Sequence, residues 1–166
     1  MATYGGLRHK NAVVLVKEIP AGERAPWRAL LELADEPEPL ARYLDDGILY
    51  GTTDDDGRPL AAVLVILEDN TTAELRAVAV AEHAQGRGIG TWLINAVHDA
   101  LRGRGITTVR VGTSSLATRE LIFYQRLGFR LSHIDRDYFN AARGYPPGLS
   151  YEGIPLRDMV WMDQTL

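Results

Sequence analysis

Residues 73–93, AELRAVAVAEHAQGRGIGTWL, constrain the fold of this chain more than any other stretch. The stretch starts with the alternation of a half-buried strand, turns through closely spaced glycines and runs into a helix. The first backbone N–H groups of a helix lack partners within the helix, and the helix dipole favours negative charge there. Because glycines let a ligand approach the backbone, the stretch predicts a seat for a phosphate group.

Glycine turns between a strand and a helix are common, so this turn alone is weak evidence for a ligand. A P-loop ends in Gly-Lys-Ser/Thr, whereas this turn ends in Gly90 and Thr91 without a lysine. A dinucleotide-binding fold needs the spacing G-x-G-x-x-G in a βαβ unit, whereas here the spacing is G-x-G-x-G after a meander. Both motifs fit poorly, and an unrelated nucleotide-binding domain remains as one hypothesis.

Composition narrows the class of protein. A chain of 166 residues suits a single domain, residues 1–166, with its own core. The absence of cysteine excludes disulfides, thiolate-bound zinc and a cysteine nucleophile. The net charge of −4 and the scattered basic residues argue against nucleic-acid binding. The longest apolar run, residues 60–67, is too short to span a membrane, and the polar start does not resemble a secretory signal, so we expect a cytoplasmic protein.

Hydrophobic patterns predict one mixed α/β domain without repeats or linkers. The predicted strands are residues 12–17, 47–53, 60–67, 73–81, 106–111, 129–134 and 156–162, and the predicted helices are residues 26–33, 39–47, 91–102 and 118–127. The unbroken apolar run at 60–67 indicates a strand buried on both faces. In the strand at 73–81 we expect one regular alternation, with Leu75, Ala77 and Ala79 on one face and Arg76, Val78 and Val80 on the other.

The four histidines do not predict a metal site. His9, His83, His98 and His133 lack the close spacing of metal ligands, and carboxylates do not complete a set, so we expect no metal. Each histidine is expected on the surface or in a hydrogen bond. The pattern of helix 91–102 places His98 on its outer face, together with Asn95, Asp99 and Arg102.

Two motifs resemble those of the GNAT family of N-acetyltransferases. Gln85-Gly86-Arg87-Gly88-Ile89-Gly90 resembles the family signature Gln/Arg-x-x-Gly-x-Gly/Ala, and residues 123–129, FYQRLGF, are similar to the late-helix motif YxxLGF. The order of elements agrees over about residues 12–162. The resemblance implies a mixed, mostly antiparallel sheet of about seven strands, splayed in the middle and flanked by about four helices. It also implies an enzyme that moves the acetyl group of acetyl-CoA directly to a primary amine of a small molecule or peptide.

The resemblance also assigns the coenzyme site. In that family the turn and the following helix hold the pyrophosphate, and backbone groups of the preceding strand hold the pantetheine arm and the oxyanion. The resemblance also implies that this strand is bulged and splays from its parallel neighbour, residues 106–111, which leaves backbone donors free. The implied coenzyme-binding residues are Val78, Ala79, Val80, Gln85, Gly86, Arg87, Gly88, Ile89, Gly90, Thr91, Ser115 and Tyr124. Many relatives carry an asparagine where this chain has Ala117. Hydroxyls of Thr113, Ser114 and Ser115 either replace that contact or cap the next helix.

Acetyl transfer to an amine needs a base, since a lysine-type amine with a pKa of about 10.4 is protonated at neutral pH. Glu74 is the first candidate, and the alternatives are Glu82 and His83. The non-catalytic interpretation of Glu74 is a solvated strand carboxylate, or one paired with Arg76 or Arg110. Tyr124 matches the family's tyrosine, and its phenol can protonate the leaving thiolate.

In that family the acceptor groove is walled by the early helices and the last two strands, so the resemblance implies a groove there. The segment GIPLRDM of the C-terminal tail resembles a bacterial small-molecule subgroup. The tail carries the acids and aromatics Asp135, Asp137, Tyr138, Phe139, Tyr145, Tyr151, Glu152 and Asp158. These residues either hold a cationic amine or pin a loop with buried rings. Another hypothesis is a non-catalytic module that binds coenzyme A, and a homodimer is also compatible with the resemblance.

Overall fold

A computed structural model describes residues 3–9 and 12–166, with side chains described for residues 3, 4 and 15–166. The strands are β1 Thr3–His9, β2 Ala12–Ile19, β3 Ile48–Thr53, β4 Pro59–Leu67, β5 Thr72–Val80, β6 Thr108–Ser114, β7 Arg130–Asp135, β8 Ser150–Tyr151, β9 Ile154–Pro155 and β10 Met159–Thr165. The helices are α1 Arg28–Leu31, α2 Pro37–Tyr43, α3 Ile89–Gly103 and α4 Thr118–Arg126.

Eight strands form the main sheet in the order β1-β2-β3-β4-β5-β6-β10-β7, and β8 and β9 form a separate short hairpin. Every pair of neighbours in the main sheet is antiparallel except β5 and β6. The prediction of a mixed, mostly antiparallel sheet with about four helices is confirmed. The additional strand is β1, whose short segment TYGGLRH has little strand pattern of its own and pairs with β2 as a hairpin.

The last strand begins later than its apolar pattern predicted. Residues 156–162 were expected to be extended, but β10 covers Met159–Thr165. Residues before β10 are bound elsewhere: the Leu156 N–H donates to the Leu149 carbonyl, and the Arg157 carbonyl accepts from the Phe139 N–H. These loop contacts, which no local pattern encodes, delay the start of the strand.

Strand β4 is buried on both faces, as its apolar run predicted. Ala61, Val63 and Val65 pack into the core formed with α3, whereas Ala62 and Leu64 pack into the core formed with α1 and α2. The sheet is therefore covered on one side by α3 and on the other by the early helices. In the described part of the chain, no helix is long and apolar enough to cross a membrane.

The expected outward position of His98 is wrong. The residue is 3% exposed, its ring lies 5.8 Å from the Phe129 ring, and its Nε2 atom has no hydrogen-bond partner among the described residues. The inner face of α3 is wider than the pattern indicated, because Phe129 covers the turn of the helix that carries His98. Of the other histidines, His83 and His133 are exposed as expected, and the side chain of His9 lies outside the described residues.

Strands β5 and β6 separate after a short parallel ladder. Their pairing runs from Thr72 opposite Thr108 to Glu74 opposite Arg110, whereas β5 continues beside β4 as far as Val80. The predicted splay in the middle of the sheet is confirmed. Because the second half of β5 has no strand partner on its β6 side, a gap opens there between the two strands.

Candidate functional site

Strand β5 contains a bulge at Arg76, which shifts the facing of its side chains halfway along the strand. Leu64 pairs with Ala77 and Val65 pairs with Leu75, so Arg76 is an extra residue in the ladder. The bulge reverses the facing of the strand: Leu75 packs into the core with α3, whereas Ala77 packs into the core with α1 and α2. The alternation of Leu75, Ala77 and Ala79 therefore does not continue past Leu75, whereas the bulge in this strand that the resemblance implies is present.

Two cavities meet in this gap. The cavity in front of the glycine turn, here called the turn cavity, has a volume of about 410 Å³. The second, here called the acidic cavity, has a volume of about 400 Å³. It lies between β5, the α1–α2 connection and the loop of residues 136–149 between β7 and β8, here called the tail loop. Both cavities are lined by Leu33, Val78, Glu120 and Tyr124. A molecule in the turn cavity can therefore reach a molecule in the acidic cavity beside Val78 and Tyr124.

The glycines of the turn serve two purposes. Gly86 and Gly88 have φ angles of +71° and +77°, which favour glycine, and a Cβ atom at either would meet no atom within 4 Å. The space in front of both is therefore open to a ligand. A Cβ atom at Gly90 would instead lie 3.3 Å from the Phe123 ring, so this glycine lets α3 pack closely against α4.

The start of α3 offers unpaired donors to the turn cavity. Gly88 is the N-cap residue, and no side chain in the described part of the chain caps this end. The first N–H groups of the helix therefore need an external acceptor, and the helix dipole favours an anionic one. Open space, uncapped donors and left-handed glycines together fit the diphosphate of a coenzyme.

Most of the predicted coenzyme-binding residues are brought together in the turn cavity. Its lining includes Val78, Ala79, Val80, Gln85, Gly86, Gly88, Ile89, Gly90, Thr91 and Tyr124. The side-chain amide of Gln85 donates to the Val80 carbonyl at 3.0 Å, so it braces the turn from the end of β5. Arg87 and Ser115 line neither cavity, and both are exposed.

The segment before α4 contributes small groups to the acidic cavity. Thr113, Ser114 and Ala117 line it. The Ser114 hydroxyl accepts a hydrogen bond from the Leu116 N–H at 3.1 Å, which stabilises the turn into α4. The Ser115 N–H donates to the backbone carbonyl of Asp158 at 2.9 Å, and this contact joins the turn to the tail.

Glu74 lies on the wall of the acidic cavity and is 8% exposed. Its Oε1 atom accepts a hydrogen bond from Arg76 Nη1 at 3.0 Å, whereas Arg110 pairs with Glu68. Burial raises the pKa of Glu74 above its ordinary value, and Arg76 opposes part of that rise. The result is a carboxylate with increased proton affinity that the neighbouring guanidinium holds in place. The alternatives, Glu82 and His83, are exposed and line neither cavity.

Tyr124 lies on α4 at the junction of the two cavities. Its ring packs against Phe123 and Phe129, with centroid distances of 5.2 and 5.7 Å. Burial raises the pKa of Tyr124 above its ordinary value, and the Glu120 charge adds to the rise. The phenol therefore keeps its proton at neutral pH and can act as a hydrogen-bond donor or an acid.

The acidic cavity contains a carboxylate that the sequence patterns did not single out. Asp35 Oδ2 accepts hydrogen bonds from Tyr43 Oη at 2.7 Å and Tyr145 Oη at 3.3 Å. Five carboxylates line the cavity against one guanidinium, that of Arg76; they are Glu32, Asp35, Glu36, Glu74 and Glu120. Asp35 and Glu36 lie in a proline-rich connection, and only the folding of the tail against that connection shows their role.

The tail residues divide into two groups. Tyr138, Phe139 and Tyr145 line the acidic cavity, and both tyrosines are buried. The acids Asp135, Asp137, Glu152 and Asp158 and the exposed Tyr151 line neither cavity. The tail thus supplies aromatic side chains to the wall of the acidic cavity, whereas the charged residues of that cavity come from other segments of the chain. Among residues 3–9 and 12–166, no group of three or more His, Cys, Asp or Glu side chains is placed to hold a metal ion.

Comparison with known proteins agrees with this architecture. The sequence profile described as the Acetyltransferase (GNAT) family matches residues 17–129. A protein of Bacillus subtilis named uncharacterized N-acetyltransferase YvbK is 35% identical over 133 residues, which cover 79% of this chain and 83% of that protein. The [ribosomal protein bS18]-alanine N-acetyltransferase of Salmonella typhimurium is 30% identical over 120 residues, covering 72% of this chain and 75% of that enzyme.

Among solved structures, a GNAT family acetyltransferase from Elizabethkingia anophelis with acetyl-CoA bound is similar along nearly its whole length. Its TM-score is 0.83 at 29% identity, and the match covers 92% of this chain and 98% of that chain. The profile match, the sequence relatives and the shared fold agree with one another. This chain belongs to the GNAT family of acetyltransferases.

Proposed function

We propose that this protein transfers the acetyl group of acetyl-CoA directly to a primary amine of a small molecule or peptide. The observation that carries the proposal is the junction of the two cavities at Val78 and Tyr124. One cavity has the open glycine turn and uncapped helix end that suit a diphosphate, and the other has a buried carboxylate beside it. The Elizabethkingia anophelis relative binds acetyl-CoA, which supports the assignment of the donor.

Acetyl-CoA supplies an activated thioester, and the residues of this chain supply proton transfer and charge stabilisation. The incoming ammonium group loses a proton to Glu74, directly or through a water molecule, and the neutral amine attacks the thioester carbonyl. Backbone N–H groups of the splayed segment at Val78, Ala79 and Val80 are the candidates to stabilise the oxyanion. When the carbon–sulfur bond breaks, Tyr124 donates its proton to the thiolate and recovers one from the attacking nitrogen, directly or through water. Glu74 releases its proton to solvent, and the products are an N-acetyl amine and coenzyme A.

The burial of Glu74 favours its role as the general base. A general base works best when its pKa approaches the working pH, and desolvation moves the pKa of Glu74 in that direction. Arg76 favours the ionised carboxylate, which is the form that accepts a proton. Burial and Arg76 thus shift the pKa of Glu74 in opposite directions.

The test is release of coenzyme A thiol from acetyl-CoA with a panel of primary amines, alongside calorimetric binding of coenzyme A. We expect coenzyme A to bind and thiol release to depend on the amine. Binding without amine-dependent release would support the alternative, a non-catalytic module that binds coenzyme A. Failure to bind coenzyme A at all would contradict both.

A further inference from the structure

The far end of the acidic cavity is built around Asp35. Its Oδ2 atom accepts from the hydroxyls of Tyr43 and Tyr145, and its Oδ1 atom accepts from the Glu36 N–H at 2.9 Å. Burial and the Asp35 charge raise the pKa of both tyrosines, which therefore remain protonated donors. A carboxylate offers about four acceptor positions, so three protein donors fix Asp35 and leave room for one more donor.

The charge of the cavity selects for cations. Its one guanidinium, Arg76, already pairs with Glu74, and Glu32 pairs with Arg28 at 3.1 Å. Three lining carboxylates are therefore in excess, those of Asp35, Glu36 and Glu120. Within the described residues, neither Glu36 nor Glu120 forms an ion pair with a basic side chain. A second carboxylate on the acceptor would meet repulsion here, whereas a second ammonium group would meet attraction.

Glu74 and Asp35 act at separate positions in one cavity. Arg76 and Tyr43 stand between them: Arg76 contacts Glu74 at 3.0 Å, and its Cζ atom lies 4.8 Å from the centre of the Tyr43 ring. The hydroxyl at the other end of that ring donates to Asp35. With these two side chains between them, the two carboxylates are placed to engage two ammonium groups that are joined by a spacer.

At its Asp35 end, the acidic cavity is closed by contacts of the tail loop with Asp35 and with α2. Tyr145 of the tail loop reaches Asp35, and Arg42 Nη1 of α2 donates to the Ala142 carbonyl of the tail loop at 2.9 Å. An extended peptide leaving the cavity here would have to break these contacts. Phe139 and Leu33 supply apolar wall suited to a short hydrocarbon spacer.

Building on the proposed function, we propose that the acceptor is a small dicationic amine. One amino group reacts beside Glu74, and the second ammonium group donates to Asp35 at the end closed by the tail loop. The spacer lies along the aromatic wall. This assignment makes Asp35 a specificity-determining residue.

The experiment compares amines of equal length with different far ends: a terminal diamine of butane, butylamine, and the amino acid with a terminal amine and a terminal carboxylate. Terminal diamines with spacers of roughly three to six carbons bracket the lengths that such a cavity can hold. We expect the best diamine to exceed its matched monoamine in kcat/KM by about tenfold or more, the scale of one charge-assisted hydrogen bond. The carboxylate analogue should be the poorest of the three.

Asp35→Asn should reduce the ratio of diamine to monoamine kcat/KM by about fivefold or more, mainly through KM. Tyr145→Phe, which removes one donor to Asp35, should reduce the ratio less. The matched control is Asp56→Asn, an exposed acid in the β3–β4 turn, which should keep the ratio of the unaltered protein.

Equal kcat/KM for diamine and monoamine in the unaltered protein would overturn the inference while leaving amine acetylation intact. So would a ratio that survives Asp35→Asn, or a peptide amine that exceeds every diamine. Coenzyme A binding without acetylation of any amine would instead overturn the proposed function. The comparison of amines needs no variant, so the inference stays testable if Asp35→Asn does not fold.

Discussion

Arg76 Nη1 lies 3.0 Å from Glu74 Oε1, and Arg76 is the bulged residue at which the facing of β5 reverses. The bulge places the guanidinium between the candidate base and the Tyr43 ring, and all three lie toward the early helices. The proton affinity of Glu74 therefore depends on the residue at which the β4–β5 ladder is irregular.

Replacing Glu74 by Gln should remove the base and lower kcat by about two orders of magnitude, the lower end of the contribution of a general base. Coenzyme A affinity should change little, because Glu74 lines only the acidic cavity. Steady-state thiol release and calorimetry measure the two effects. Glu68→Gln, which alters a carboxylate outside both cavities, is the control. Equal turnover in the two variants would exclude Glu74 as the base.

The pH dependence of kcat/KM should report the environment of Glu74. Since burial raises its pKa, activity should fall on acidification through a pKa above the ordinary glutamate value. Arg76→Gln removes the nearby cation that lowers this pKa, so the acidic limb should move to higher pH. Arg58→Gln, at an exposed site in the β3–β4 turn, should leave the limb in place. A limb that does not move in Arg76→Gln would show that Glu74 does not control it.

Tyr124→Phe should lower kcat by about ten- to a hundredfold or more, since only the proton donor is lost, and should change coenzyme affinity far less. The ring packing against Phe123 and Phe129 is retained by phenylalanine. Single-turnover thiol release measures the chemical step. Tyr151→Phe, at an exposed tail position, serves as the control. Normal turnover in Tyr124→Phe would remove the phenol from the mechanism.

Gly88→Glu should abolish coenzyme A binding, because a carboxylate would enter the open space in front of the helix end and repel the diphosphate. Gly57→Glu is a matched control: its φ is +79°, near the +77° of Gly88, and a Cβ atom there also meets nothing within 4 Å. Both variants carry similar backbone strain, so only the effect on the ligand differs. Calorimetry with coenzyme A should show binding in Gly57→Glu alone.

His98 should make the fold sensitive to acid. Burial lowers the pKa of His98 to about 4, with Arg102 adding to the effect, from an ordinary value of 6.5. Between these two pH values the unfolded chain binds the proton more tightly, so the free energy of unfolding should fall by up to about 3 kcal/mol as pH drops. Above the ordinary value the contribution is constant. Denaturation of His98→Leu at several pH values should show a smaller fall, and an equal fall would contradict this assignment.

Sequence patterns predicted the parts of the fold that local chemistry determines. The long apolar run of β4, the amphipathic α3 and the glycine after α4 each carry their own signal. The burial of His98 carries none, and the bulge in β5 is implied by the family resemblance and not by a local pattern. The first depends on Phe129 folding back over α3, and the second depends on the register between β4 and β5.

The candidate site divides in the same way. The glycine turn and Tyr124 belong to short, contiguous motifs, so the sequence alone identifies them as candidate site residues. Asp35 is separated by 110 residues from Tyr145, the tail residue that binds it, and its neighbourhood forms only when the tail packs against α2. Local patterns place Asp35 simply in a connection between helices.

The most direct test of the account is a crystal structure of this protein with acetyl-CoA bound. We expect the diphosphate within hydrogen-bonding distance of the N–H groups of residues 86–91, with the thioester between Val78 and Tyr124. A diphosphate bound elsewhere, with that turn free of ligand, would contradict it.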